Sequence, residues 1–228
     1  MSGSRVEFFF DLSSPWTRIA FANLWPLLER TGDQAVLRPI LVGGVFNAVN
    51  PAVYAAREDA GSRRLQHSWK VLADWAALAD VRMNFPSVHH PAKSVTAMRM
   101  ACALEADQPS LRRFVEAAFE SYFGDQQNLD DPEVLIQAAN AAGLDGLAIA
   151  QAAVTDANKL KLRANTDELI ARGGYGSPTI FVDGADMYFG NDQLPLVEFA
   201  LKGKADERPR ENYDAGRWHC RCPHDACR

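Results

Sequence analysis

Cysteine is scarce in the body of this 228-residue chain, where Cys102 is the only one before residue 220. A single thiol cannot form an internal disulfide, so a disulfide-stapled secreted scaffold is excluded for this part of the sequence. Three more cysteines crowd between Cys220 and Cys227 beside two histidines, but their spacing is too compressed for a usual structural zinc site. We therefore expect a polar tail over residues 203–228 and no metal site.

Long apolar runs and an excess of positive charge are also missing. No stretch approaches the ~20 apolar residues that a membrane span needs, and the first residues lack the pattern of a signal peptide. The formal net charge is −5, whereas nucleic-acid binding needs a basic face. We expect a cytoplasmic protein that binds neither membranes nor nucleic acids.

The first fifty residues follow a strand–helix–strand pattern. Residues 5–10 are aromatic and β-branched, which predicts a strand. Ser14 and Pro15 then form a strong helix start, while Pro26 within the apolar periodicity predicts a kink or an early end. Residues 35–42 predict a second strand, whose Pro39 argues for an edge position or a bulge.

The middle of the chain is helical, and strand patterns return only near residue 179. Residues 179–183 and 186–189 predict a hairpin, which a helix over 193–201 follows. This order predicts an α/β, thioredoxin-like fold with a large all-helical insertion. We assign residues 1–49 and 174–202 to the thioredoxin-like domain and residues 50–173 to the helical insertion domain.

The junction of the first strand and helix carries the first candidate site. A thioredoxin-type redox enzyme needs C-x-x-C there, because the helix N-terminus stabilises a thiolate. Here Ser14 and Thr17 occupy the two cysteine positions, which excludes disulfide exchange at this site. Ser14 either donates a hydrogen bond to a thiolate that a ligand brings in, or only caps the helix.

Two further motifs lie near the C-terminal strands. Pro178 precedes the third strand, where it is either an ordinary turn residue or the cis-proline that thioredoxin-like folds place opposite the helix start. In the second case, the backbone of Ser177 pairs with a bound peptide. Asn191 and Asp192 open the last helix. They either cap it or bind the amine and the carboxylate of an amino acid.

Four segments carry a resemblance to a known family: FFFDLSSPW, LRPILVGGVFNAVNP, SVTAMR and GSPTIFVDGADMYFGNDQL. Together they resemble 2-hydroxychromene-2-carboxylate isomerases and the related kappa-class glutathione transferases, which are DsbA-like proteins with a serine for the first redox cysteine. The resemblance implies glutathione as the cofactor. It implies six cofactor-binding residues, which are Ser14, Asn50, Ser177, Pro178, Asn191 and Asp192.

Within that set, the resemblance makes Ser14 the residue that activates the glutathione thiol, with Asn191 and Asp192 holding the γ-glutamyl end. The family commonly has a lysine before its asparagine, and Asn47 stands there in this chain. We take Asn47 and Trp16 as the substrate-side candidates, Trp16 because it could wall an aromatic pocket. Lys93 or Arg57 could replace the missing charge.

The predicted function is that of a glutathione-dependent isomerase in aromatic-compound degradation. The resemblance implies that the glutathione thiolate adds to a conjugated carbon–carbon double bond, that rotation occurs about the resulting single bond, and that elimination then returns glutathione unchanged. Two alternatives stay open, a kappa-like transferase that conjugates electrophiles and a non-catalytic module that binds thiols or peptides. The expected partners are a small aromatic or electrophilic substrate and, by resemblance, a second copy in a homodimer.

Overall fold

A computed structural model describes residues 4–54 and 61–203. Four strands and nine helices make up this described part, with one π-helical and one 3-10 turn. They are β1 (Arg5–Phe10), α1 (Pro15–Thr31), β2 (Gln34–Pro39), α2 (Val42–Val49), α3 (Arg63–Leu78), α4 (Val95–Leu104), α5 (Gln108–Phe119), the π-helical turn (Glu120–Gly124), α6 (Pro132–Ala141), α7 (Gly146–Ala153), α8 (Asp156–Ala171), β3 (Thr179–Val182), β4 (Asp186–Phe189), the 3-10 turn (Asn191–Gln193) and α9 (Leu194–Leu201).

The sheet has the strand order β2-β1-β3-β4, with β2 parallel to β1 and the other neighbours antiparallel. Phe8, Phe9 and Phe10 of β1 are completely buried. Successive residues of a strand point to opposite faces, so burial of all three means that both faces of the sheet are covered. This arrangement confirms the predicted thioredoxin-like fold with its helical insertion.

Two boundaries differ from the sequence-based predictions. β2 is an edge strand, as its proline predicts, but it ends at Pro39, and α2 begins at Val42 where a strand was expected. Helix α1 continues through Pro26 to Thr31, so the predicted early end is wrong. Pro26 is exposed, and water can therefore satisfy the carbonyl that loses its partner.

One hydrophobic core joins the sheet to the helical segment. The ring of Phe21 on α1 lies 6.3 Å from Phe8 on β1 and 5.6 Å from Phe119 on α5. The thioredoxin-like part and the helical segment share this core, so the core does not mark a boundary between them. The division of the chain into two domains therefore stays a prediction. A small separate cluster, centred on Ile19 and Leu72, attaches α3 beside the start of α1.

The described helices differ from membrane-spanning helices in length or in apolar character. None of them, within residues 4–54 and 61–203, combines the length and the apolar character needed to cross a membrane.

Candidate active site

Ser14 is the N-cap of α1 and a bridge to the loop before β3. Its Oγ accepts a hydrogen bond from the Thr17 backbone N–H at 3.2 Å and donates one to the Ser177 carbonyl at 3.0 Å. The side chain is half-buried. Ser14 therefore caps the helix, as one interpretation predicted, and also faces the other candidate segment.

The Ser177–Pro178 peptide bond is cis, and Ser177 lies in contact with the helix start. The interpretation of Pro178 as a cis-proline opposite the helix start is therefore confirmed. The Ser177 Oγ accepts from the Asp11 backbone N–H at 2.9 Å and lies 2.7 Å from the Thr17 hydroxyl. Ser177 is 7% exposed, so backbone and side chain together fix it against the start of α1.

Asp11, directly after β1, is a site residue that the sequence analysis missed. It is fully buried, and its Oδ1 accepts hydrogen bonds from the backbone N–H and the hydroxyl of Ser13, both at 2.9 Å. Its Oδ2 accepts from the Val42 backbone N–H at 2.8 Å. Burial raises the pKa of Asp11, and the hydrogen bonds from Ser13, Val42 and Ser94 lower it by less. An acidic residue at the end of an apolar strand was the available signal.

Asn191 and Asp192 lie beside the same loop, because the Gly190 N–H donates to the Pro178 carbonyl at 3.1 Å. Neither side chain caps the helix that follows, so the capping interpretation is wrong for both. Asn191 is 1% exposed, and its Oδ1 accepts from Asn23 Nδ2 at 2.9 Å. Its own Nδ2 is buried with no partner in the described part of the chain.

Gly190 allows Asp192 to fold back toward the loop. Gly190 has a φ of 98°, and a Cβ built on it would lie 2.7 Å from Asp192 Oδ1. Any side chain at this position would therefore be strained and would displace the carboxylate. Asp192 itself is exposed, so its carboxylate can meet a ligand.

Asn50 holds the loop from its other end. Its Nδ2 donates to the Tyr175 carbonyl at 3.3 Å, whereas the exposed Asn47 accepts at Oδ1 from the Tyr54 hydroxyl at 2.9 Å. Trp16, two residues after Ser14, is half-buried against the cluster that attaches α3. The structure thus brings Ser14, Ser177 and Asn50 around one loop, and it places Asn47 with Tyr54.

Two charge candidates remain, Lys93 and Arg57. Lys93 is exposed, and its backbone N–H donates to Asp130 Oδ1 at 2.7 Å. Arg57 and the polar tail, with its cysteines and histidines, lie outside the described residues. Within residues 4–54 and 61–203, no three His, Cys, Asp or Glu side chains are grouped to hold a metal ion.

Cys102 is the free thiol of the described part, and it is buried on α4. Burial, with a smaller effect from the charge of Glu105, raises its pKa to about 12. At neutral pH this thiol is protonated and lies within the core, so it cannot act as a nucleophile. Within residues 4–54 and 61–203, no thiol is therefore available to act at Ser14.

The chain is similar to known proteins over most of its length. The chain is 28% identical over 200 residues to a 2-hydroxychromene-2-carboxylate isomerase from Sphingobium xenophagum, covering 86% of this chain and 97% of that protein. It is 26% identical over 209 residues to glutathione S-transferase kappa 1 from Rattus norvegicus, covering 87% and 91%. A solved 2-hydroxychromene-2-carboxylate isomerase superposes with a TM-score of 0.68 at 22% identity, covering 89% and 97%.

A family-level match covers nearly all of the described structure. The DSBA-like thioredoxin domain matches residues 5–202, from the first residue of β1 to just after α9. That range contains Ser14, the cis-proline loop and the turn before α9. The chain belongs to the family of DSBA-like thioredoxin domains.

Proposed function

We propose that this protein is a glutathione-dependent isomerase of the 2-hydroxychromene-2-carboxylate isomerase type, acting on a small aromatic substrate in aromatic-compound degradation. The observation that carries the proposal is the Ser14 hydroxyl, 3.0 Å from the Ser177 carbonyl beside a cis-proline. This is a redox-type site in which both redox cysteines are replaced by hydroxyl residues. Such a site suits a ligand that supplies its own thiol.

The residues present fit glutathione at three points. Asn191 Nδ2 is a buried donor that has no acceptor in the described part of the chain, and the nearby exposed Asp192 carboxylate suits the ammonium group of a γ-glutamyl end. The Ser177 backbone, next to the cis bond, suits the cysteinyl part as a short strand partner. When bound, glutathione would supply the nucleophilic thiolate.

Ser14 would have to stabilise that thiolate. A free thiol has a pKa near ~8.5, so only about 3% is ionised at pH 7, and lowering the pKa by ~2 requires ~2.7 kcal/mol. A helix N-terminus supplies ~0.3–1 kcal/mol, or up to ~2 when partly buried. A charge-assisted hydrogen bond from Ser14 adds ~1.5–3 kcal/mol and closes the difference.

Binding of a thiolate would change the hydrogen bonding of Ser14. The Ser14 hydroxyl has one proton, which it now donates to the Ser177 carbonyl. Donation to a thiolate therefore releases that carbonyl, and the cysteinyl N–H of the ligand can take its place. Trp16, half-buried beside the start of α1, would form one wall of the aromatic substrate pocket, with Asn47 as the further substrate-side candidate.

A kappa-like transferase is the second candidate, because the match to the rat transferase is nearly as close as the match to the isomerase. Incubation with glutathione and 2-hydroxychromene-2-carboxylate separates the two. An isomerised product with unchanged glutathione supports the isomerase, whereas a stoichiometric conjugate supports the transferase. Absence of glutathione binding would favour the non-catalytic module. The cytoplasmic location and the homodimer stay predictions, and sedimentation tests the latter.

A further inference from the structure

Three segments converge on the carboxyl group of Asp11. The turn between β1 and α1 contributes Ser13, the start of α2 contributes the Val42 N–H, and the N-terminal end of α4 contributes the Ser94 hydroxyl. These donors lie 2, 31 and 83 residues away along the chain, so their convergence is a tertiary feature. No ion pair to Asp11 occurs in the part of the chain that the structure describes.

Both carboxyl oxygens are needed for this arrangement. Oδ1 accepts from the Ser13 N–H and Oδ2 from the Val42 N–H, and a backbone N–H can only donate. An asparagine would turn its NH₂ group toward one of these donors and would lose that hydrogen bond. The site therefore specifies a carboxyl group, which pure packing would not require.

The backbone of Asp11 holds the two reacting-site serines at the same time. Its carbonyl accepts from the Ser14 N–H at 3.2 Å, and its N–H donates to the Ser177 Oγ at 2.9 Å. The side chain closes an Asx turn onto Ser13 over the same residues. The orientation of Asp11 thus fixes both Ser14 and Ser177.

We propose that Asp11 is the positioning residue of this site, which holds the Ser14 hydroxyl and the Ser177 loop in the geometry that receives the ligand thiol. Its carboxyl group anchors the turn to α2 and α4, so the Ser14 hydroxyl is already positioned before a ligand binds. The part of this inference that concerns the ligand thiol rests on the proposed glutathione function. The part that concerns the positions of Ser14 and Ser177 does not.

Two variants of full-length protein test the proposal, Asp11→Asn and the matched control Glu7→Gln. Glu7, four residues earlier on β1, is also a buried carboxyl residue, but arginines hold it. Hydrogen exchange, measured without ligand, should accelerate in Asp11→Asn over residues 11–18 and 41–46 about tenfold or more beyond the rest of the sheet, whereas in Glu7→Gln these two segments should change no more than the rest of the sheet. This measurement decides the geometric role even if glutathione does not bind.

The second measurement is ultraviolet titration of the glutathione thiol on the protein. Asp11→Asn should raise the pKa of the bound thiol and lower kcat/KM about tenfold, with a smaller effect on glutathione affinity. An unchanged pKa, or an equal rise in Glu7→Gln, would overturn the proposal. A lowered pKa would also overturn it, because Asp11 would then act through its negative charge.

A milder variant covers the case in which Asp11→Asn does not fold. Ser94 is 3% exposed, and its side chain makes no capping bond to α4, so Ser94→Ala removes its bond to Asp11 without uncapping that helix. It should shift hydrogen exchange and the thiol pKa in the same directions as Asp11→Asn, by less. Wild-type values for both would overturn the proposal.

Discussion

The two carboxyl residues of the first strand segment, Glu7 and Asp11, are both buried, but they lie in opposite electrostatic environments. Glu7 pairs with Arg172 at 2.8 Å and with Arg5 at 2.9 Å. The guanidinium of Arg172 also stacks on the Phe181 ring, 3.8 Å from its centroid. Around Asp11, four residues further along, the described partners are N–H and O–H groups only.

The pKa values of the two groups shift in opposite directions. Burial is the largest influence on both and raises both. At Glu7, the hydrogen bond and charge of Arg172, with the charges of Arg5 and Arg38, outweigh burial and lower the pKa. At Asp11, neutral donors do not outweigh it.

This difference separates a stabilising region from a reactive one. At the Glu7 end, ion pairs with arginines stabilise the sheet. At the other end, the described partners of the Asp11 carboxyl group are hydroxyl and N–H dipoles, so no ion pair with Asp11 must be broken when an anion binds. A bound thiolate can therefore take over a hydrogen bond from Ser14 at little cost.

The largest expected effect comes from Ser14→Ala, which removes the donor at the reactive end. The pKa of bound glutathione should rise by about 1 to 2, and turnover at pH 7 should fall about tenfold, because less thiolate forms. Ultraviolet titration and kinetics measure the two effects. Ser62→Ala is the control, since Ser62 caps α3 in the same way, accepting from the Leu65 N–H at 3.2 Å. If the titration curve is unchanged, Ser14 is only a cap and Ser13 is the next residue to examine.

Glu7→Gln should lower the stability of the protein and leave the pKa of the bound thiol unchanged. Removing the charge leaves the buried part of Arg172 less well paired, and we expect a loss of about 1–3 kcal/mol in the free energy of unfolding. Chemical denaturation measures it, and Asp74→Asn, in an exposed pair with Lys70, should cost less than ~0.5 kcal/mol. A thiol titration that changes in Glu7→Gln would contradict the separation of the two regions.

The pH dependence of stability should distinguish the two carboxyl groups by sign. Glu7 has a lowered pKa, so its stabilisation is present above its ordinary value of 4.5 and is lost as the pH falls below it. Asp11 has a raised pKa, so stability is gained as the pH falls through that pKa toward 3.8. The destabilisation by Glu7→Gln should therefore shrink in acid, and that by Asp11→Asn should grow. Parallel pH profiles for the two variants would contradict the assigned directions.

The smallest expected effect concerns the polar tail, which belongs to neither region. Truncation after about Lys204 should leave glutathione-dependent turnover intact, because a charge-dense segment outside the predicted elements does not hold a preorganised site. Turnover of the truncated and full-length proteins is the measurement. Lost turnover in a folded truncated protein, or zinc bound in stoichiometric amount by the full chain, would show that the tail cysteines matter.

Local patterns predicted much of this fold. The apolar run of β1, the Ser14–Pro15 helix start and the order of elements around Pro178 each depend on neighbouring residues alone, and the structure confirms them. The end of β2 was predicted wrongly, since apolar residues 40–42 suit a strand equally well. A buried carboxyl group that accepts the Val42 N–H starts a helix there, and no local pattern shows it.

The sequence by itself determined that the site has serine and threonine in place of the two redox cysteines, and so that disulfide exchange between these two positions is excluded. Only the tertiary structure showed that Asp11 joins the segments around Ser14, that Asn191 is buried with its Nδ2 lacking a partner among the described residues, and that Cys102 is unavailable. The physical reason is that residue identity specifies which groups can donate, accept or ionise. Burial and the partners that folding brings from distant positions decide which of them do.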